Sequence, residues 1–189
     1  SDLKSKSPMN RLVQGDVGSG KTIVAILTAS IIIAEEYQVA LMAPTEILAE
    51  QHYLSIKEYC ECVNINCDII TSNKPQKEKK IILNKLKSGE IQFIIGTHSL
   101  IQDKVLFNNL GLIIIDEQHR FGVEHRKLLV DKGLNPEVLA MTATPIPRTL
   151  SITLHGDMDI SIIDELPKNR IPIKTEVITP SKIKSAYQK

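Results

Sequence analysis

Tryptophan is absent from this 189-residue sequence, and only three phenylalanines and four tyrosines supply aromatic rings. That is too few for a broad platform on which successive nucleobases stack. Charge of one sign is equally scarce. The formal net charge is +1, so no strong field advertises a polyanionic partner. A protein that grips a few phosphates through loop amides and hydroxyls needs no such field. Long apolar runs are missing too. The longest, Ile23 to Ala34, is broken by Thr28 and Ser30 and is shorter than the roughly 20 residues that cross a bilayer. No apolar stretch follows the polar start at Ser1 and Asp2, so neither a membrane span nor a signal peptide is expected, and the reading is cytoplasmic. Cysteine is limited to Cys60, Cys62 and Cys67. With His52 nearby they could pass for metal ligands, but zinc sites carry a set of four with paired ligands two to four residues apart. Cys60 and Cys62 are two apart, which on a helix sends them to different faces. They read as reduced, partly buried thiols without a metal.

What is present fits one soluble domain with a real core: 42% of residues are hydrophobic and 24% charged. Apolar β-rich segments alternate with helical patterns, which predicts an α/β fold with a largely parallel sheet and helices on both faces. Strands are expected near residues 11–14, 39–43, 66–71, 92–95, 112–115 and 138–142. Helices are expected over 21–36, 46–60, 75–87, 123–131 and 147–154. The lysine-rich stretch 74–87 carries Ile81, Ile82, Leu83 and Leu86, so it reads as an amphipathic helix with a solvated lysine face. After Gly156 the character changes. Pro167, Pro172 and Pro180 interrupt residues 157–189, and only 171–178 alternates. That stretch reads as a linker leading into a strand of another sheet, which puts the domain limit near residue 165.

Three motifs carry chemistry. Gly15, Asp16, Val17, Gly18, Ser19, Gly20, Lys21 and Thr22 match G-x-x-x-x-G-K-[ST], between a predicted strand and a predicted helix. The glycines let backbone amides turn toward a phosphate, and the helix start adds a favourable dipole. Lys21 is expected to reach the outer phosphates of ATP and Thr22 to ligate Mg2+. Next, Asp116 and Glu117 end a continuously apolar strand, where ligands of open parallel sheets bind. Asp116 suits magnesium, and Glu117 suits polarising an attacking water. Finally, Thr142 and Thr144 place small hydroxyls at another strand end, beside the expected nucleotide.

In that order the motifs resemble those of superfamily-two helicases of the Asp-Glu-x-His type, and within them the RecG family of branched-DNA helicases. The resemblance runs through residues 8–22 and 43–49 with Gln51 and His52, then 96–100 and 116–123. It continues through 141–149, 156–159 and 162–167. It implies a RecA-like fold, with the Thr142 strand between the P-loop strand and the Asp116 strand. It also implies a catalytic set of Lys21, Asp116, Glu117 and His119, with His119 linking the ATP site to Thr142 and Thr144. Backbone contacts to DNA are implied for Pro44, Thr45, Gly96, Thr97 and His98. Thr45 can also cap the helix that follows it. Arg148 is the arginine expected to matter for coupling, while Arg120, Arg126 and Arg170 read as surface or interdomain contacts. His125 and His155 are given no role. The family supplies a second RecA-like domain with arginine fingers and a wedge domain for branched DNA; residues 166–189 would lead into the former. The nearest alternative is the motor of the transcription-repair coupling factor. A nucleotide-dependent binding module that hydrolyses nothing is a third reading.

Overall fold

A computed structural model describes residue 3 and residues 7–118, 121–144 and 158–164. Seven strands form one sheet: β1 Asn10–Gly15, β2 Gln38–Met42, β3 Cys67–Ile70, β4 Phe93–Gly96, β5 Leu110–Asp116, β6 Glu137–Thr142 and β7 Asp159–Ile163. Their order is β3-β4-β2-β5-β6-β1-β7, and every pairing is parallel. β6 lies between β5 and β1, as the resemblance implied.

Parallel strands need crossovers, and four helices supply them among the described residues: α1 Lys21–Ala34, α2 Glu46–Cys62, α3 Gln76–Lys87 and α4 Val123–Val130. The inner strands feed alternate side chains to two cores. Val39 and Leu41 of β2 join Ala25, Ala29 and Ile33 of α1 and Ala49 and Ile56 of α2. Ala40 and Met42 face the other way, toward Ile82 and Leu86 of α3 and Leu129 of α4. Burial on both faces is why β2 and β5 read as unbroken apolar runs. The sheet thus carries helices on both faces, as expected. On α3 the split is narrower than predicted. Ile82 and Leu86 are buried, whereas Ile81 is exposed beside the lysines.

Two expectations need correction. The stretch from residue 157 onward is not all linker, because β7 pairs with β1 from Arg11↔Asp159 to Gly15↔Ile163. Arg11 fastens this edge, donating to Ser161 Oγ at 2.7 Å and pairing with Asp159 at 3.5 Å. Nor are all three thiols even partly buried, because Cys62 is exposed. Cys60 is buried and Cys67 half-buried. Cys60 donates a hydrogen bond to Cys67, which raises the pKa of Cys60 and lowers that of Cys67. The predicted helix 147–154 and strand 171–178 lie outside the described residues.

One buried polar side chain ties three segments together. Gln38 Nε2 donates to the carbonyls of Leu86 (2.8 Å) and Ile91 (2.6 Å), and its Oε1 accepts from the amides of Asn108 (2.7 Å) and Asn109 (3.0 Å). All four side-chain valences are satisfied, and Gln38 is 3% exposed. Gln38→Leu keeps the volume but strands two donors and two acceptors. We expect it to lower the unfolding free energy by about 3 kcal/mol, since each unsatisfied buried group costs roughly 1–3 kcal/mol and some will find water. Urea denaturation checks this as a lower midpoint at unchanged slope. An unchanged midpoint would mean that the four groups are hydrated elsewhere at no cost.

Candidate functional site

Parallel strands all end on the same edge of the sheet. Along that edge, β4, β2, β5, β6 and β1 stop in succession at Gly96, Met42, Asp116, Thr142 and Gly15. With strands about 4.8 Å apart, five sequence-distant motifs become neighbours.

The loop after β1 turns through Gly18 (φ 79°) and Gly20 (φ 96°), left-handed conformations that side chains with a Cβ resist. Gly20 caps α1 without a side-chain hydrogen bond, and no acidic residue occupies the first turn. The helix start therefore offers its amides and positive dipole end to an anion. Ser19 Oγ is buried in the loop without a hydrogen-bond partner. Lys21 folds back over the loop, its Nζ donating to the carbonyls of Gly15 and Asp16, both at 2.8 Å. An ammonium has three donors, so one remains for a phosphate oxygen. Thr22 is half-buried in the first turn of α1. This loop fits a nucleoside triphosphate.

β5 runs buried from Leu112 into Asp116, which is 9% exposed. Its Oδ2 lies 2.7 Å from His52 Nε2 on α2, leaving Oδ1 for a cation. Glu117 then adopts φ 49°. A left-handed backbone at a non-glycine residue costs about 1–2 kcal/mol, and such strain concentrates at working sites. Thr142 Oγ1 reaches Glu117 Oε2 at 3.4 Å and Thr144 Oγ1 at 2.8 Å. The strand-end hydroxyls thus touch the Asp-Glu motif through Glu117. His119 and Arg148 lie outside the described residues.

On the other half of the edge, the loops after β2 and β4 sit side by side, with the Ala43 amide donating to the Gly96 carbonyl at 2.8 Å. Thr45 is exposed and caps α2 as anticipated, its Oγ1 accepting from the Leu48 amide at 3.3 Å. Pro44 is half-buried beside it. Gly96 must be glycine. A Cβ there would come within 2.9 Å of both the Ile70 carbonyl oxygen and Leu100 Cγ. Thr97 is buried, whereas His98 is exposed and rests on Phe121 (centroids 5.3 Å apart) and edge-on to His125 (4.8 Å).

Sequence reasoning missed two of these residues. In the sequence His52 stands beside the cysteines and within the stretch that resembles the family, with no role of its own. The available signal was its place three residues after Ala49 and four before Ile56, on the buried stripe of α2, where a polar residue needs a partner. His125, given no role, supports His98. Arg126 is half-buried against Met158 Sδ at 3.3 Å, a weak acceptor, rather than a free surface arginine.

The family model for DEAD/DEAH box helicases matches residues 3–152. The chain belongs to that family. It is 53% identical over 190 residues to the ATP-dependent DNA helicase RecG of Aquifex aeolicus, covering all of this chain and 24% of the relative. With the RecG of Streptococcus pneumoniae identity is 56%, over 94% of this chain and 26% of that protein. Among solved structures, RecG bound to a three-way DNA junction superposes with a TM-score of 0.85 at 41% identity, covering 99% of this chain and 25% of that one. The helicase domain of Pyrococcus furiosus Hef, at 22% identity and a TM-score of 0.63, shares the fold. The chain spans about a quarter of the length of the RecG proteins it matches. No helix among the described residues is long and apolar enough to cross a membrane.

Proposed function

We propose that this chain is the ATP-binding motor unit of a cytoplasmic DNA helicase that couples ATP hydrolysis to remodelling branched DNA. The observation that carries this is the single edge on which a P-loop, an Asp-Glu pair, a hydroxyl strand end and two backbone-contact loops follow one another. The relatives named above support RecG over the coupling-factor motor.

In this reading residues 15–22 cradle the triphosphate, with Lys21 neutralising its outer charges. Thr22 and the free oxygen of Asp116 would hold Mg2+, which when bound screens the phosphate charge during transfer to water. Glu117 orients and deprotonates the attacking water. The loops at Pro44–Thr45 and Gly96–His98 hold a DNA strand through its backbone, because helix-start amides and small hydroxyls suit phosphate oxygens. His119 and Arg148 complete the coupling set. Residues 1–165 form the first RecA-like domain and 166–189 lead to the second, which with a wedge domain supplies the rest of the DNA track.

The full-length protein tests this directly. Its ATPase should rise at least tenfold with a three-way junction and much less with linear duplex of equal length. Equal stimulation by both would leave a DNA translocase without a branch preference. The double variant Thr142→Ala, Thr144→Ala should keep ATP turnover within a few-fold and lose most unwinding. The Thr142–Glu117 contact, at 3.4 Å, is too long to be a strong O–H···O bond, so little catalysis rests on it. Parallel losses in both assays would reduce these residues to strand packing.

A further inference from the structure

His52 joins the two halves of the edge. α2 starts at the exposed cap Thr45, beside the loop assigned to DNA, and its seventh residue is His52. At about 1.5 Å per residue, roughly 10 Å of straight helix separates them. There His52 Nε2 meets Asp116 Oδ2 at 2.7 Å, with the two side chains 14% and 13% exposed. A carboxylate can only accept, so Nε2 is the donor. The contact spans 64 positions in sequence and crosses from a helix to the end of β5. Around it α2 is locked to the sheet by Ala49, Ile56 and Cys60, so the helix moves as a unit or not at all.

We propose that His52 is a positioning residue for the Asp116 carboxylate, and that α2 is a strut relaying engagement of a DNA phosphate at Thr45 to the cation side of the nucleotide site. The inference rests on the reading of Asp116 as the magnesium-binding carboxylate. With Oδ2 held by the imidazole, the carboxylate plane is fixed and Oδ1 is presented in one orientation. Hydrogen-bonded partners of metal ligands typically matter 10–100-fold in metal affinity. Coupling is also reciprocal. If DNA at the head of α2 favours the held carboxylate, bound magnesium-nucleotide must tighten DNA binding by the same factor.

The test uses the full-length protein and a fluorescent ADP analogue titrated at varied Mg2+, with and without a DNA junction, plus the melting temperature of each variant. His52→Asn is polar but too short to reach Asp116. His52→Gln places an amide N–H near the position of Nε2. His52→Asn should raise the Mg2+ needed for half-maximal nucleotide binding by about 10-fold or more and erase the tightening produced by DNA, while His52→Gln restores much of both. Unchanged Mg2+ dependence in His52→Asn, with only a lower melting temperature, would make His52 a packing residue and overturn the proposal. A shifted Mg2+ dependence with the DNA effect intact would overturn the strut. Asp116→Asn separates the underlying reading. If it leaves the Mg2+ dependence of binding unchanged, the carboxylate itself has been misassigned.

Discussion

Lys21→Ala is expected to remove measurable Mg-ATP binding while the domain stays folded. In the resting loop the Lys21 ammonium spans the carbonyls of Gly15 and Asp16, so the residue holds the loop as well as awaiting a ligand. Losing those two bonds costs the loop about 1–3 kcal/mol, a tolerable sum because the side chain is only half-buried and water can replace the donors. Losing the cation opposite the triphosphate costs more. The one remaining charge-assisted bond to phosphate, at roughly 1.5–3 kcal/mol, amounts to about 10- to 100-fold in affinity, and the lost attraction to the rest of the triphosphate adds to it. Isothermal titration at concentrations that saturate the parent should give no heat, with the circular dichroism spectrum unchanged. Equal affinity in the variant would sink the P-loop assignment.

How much of this could be read from residues alone differs by element. The inner strands β2, β4, β5 and β6 were legible because they are buried on both faces and so nearly continuous in apolar residues; β1 and the edge strand β3 are only partly buried and carry shorter apolar stretches. β7 was not legible. As an edge strand it keeps Asp159 and Ile162 exposed, and its sequence lacks an unbroken apolar run to announce it. The P-loop was legible because its glycines and lysine answer a demand that no ordinary turn makes. Asp116 and Glu117 were legible as a pair, but not the imidazole that holds one or the strained backbone that aims the other. Those depend on which helix packs over which strand end, and no local pattern encodes that. His52 carried only the faint sign of a polar residue on a buried stripe. His125 carried even less, since its worth lies in a ring contact with a loop 27 positions earlier.

Glu117→Gln in the full-length protein should bind ATP within a few-fold of the parent and turn it over roughly 10²–10⁴-fold more slowly, the usual worth of a positioned general base. The substitution is nearly isosteric, and glutamine must adopt the same φ of 49° that glutamate adopts, so the backbone strain at the end of β5 is unchanged. The amide oxygen can still accept from Thr142 Oγ1, as Glu117 Oε2 does at 3.4 Å, which keeps β6 in contact with the motif. What the amide cannot do is take a proton from water. Asp116 is untouched, so the binding of magnesium and nucleotide should survive, and DNA binding in the presence of ATP should match the parent. A single-turnover assay separates the possibilities. Slow chemistry with normal nucleotide binding fits a base at position 117. Turnover at the parental rate would move that role to another residue on the same edge and leave Glu117 as a structural neighbour of Thr142.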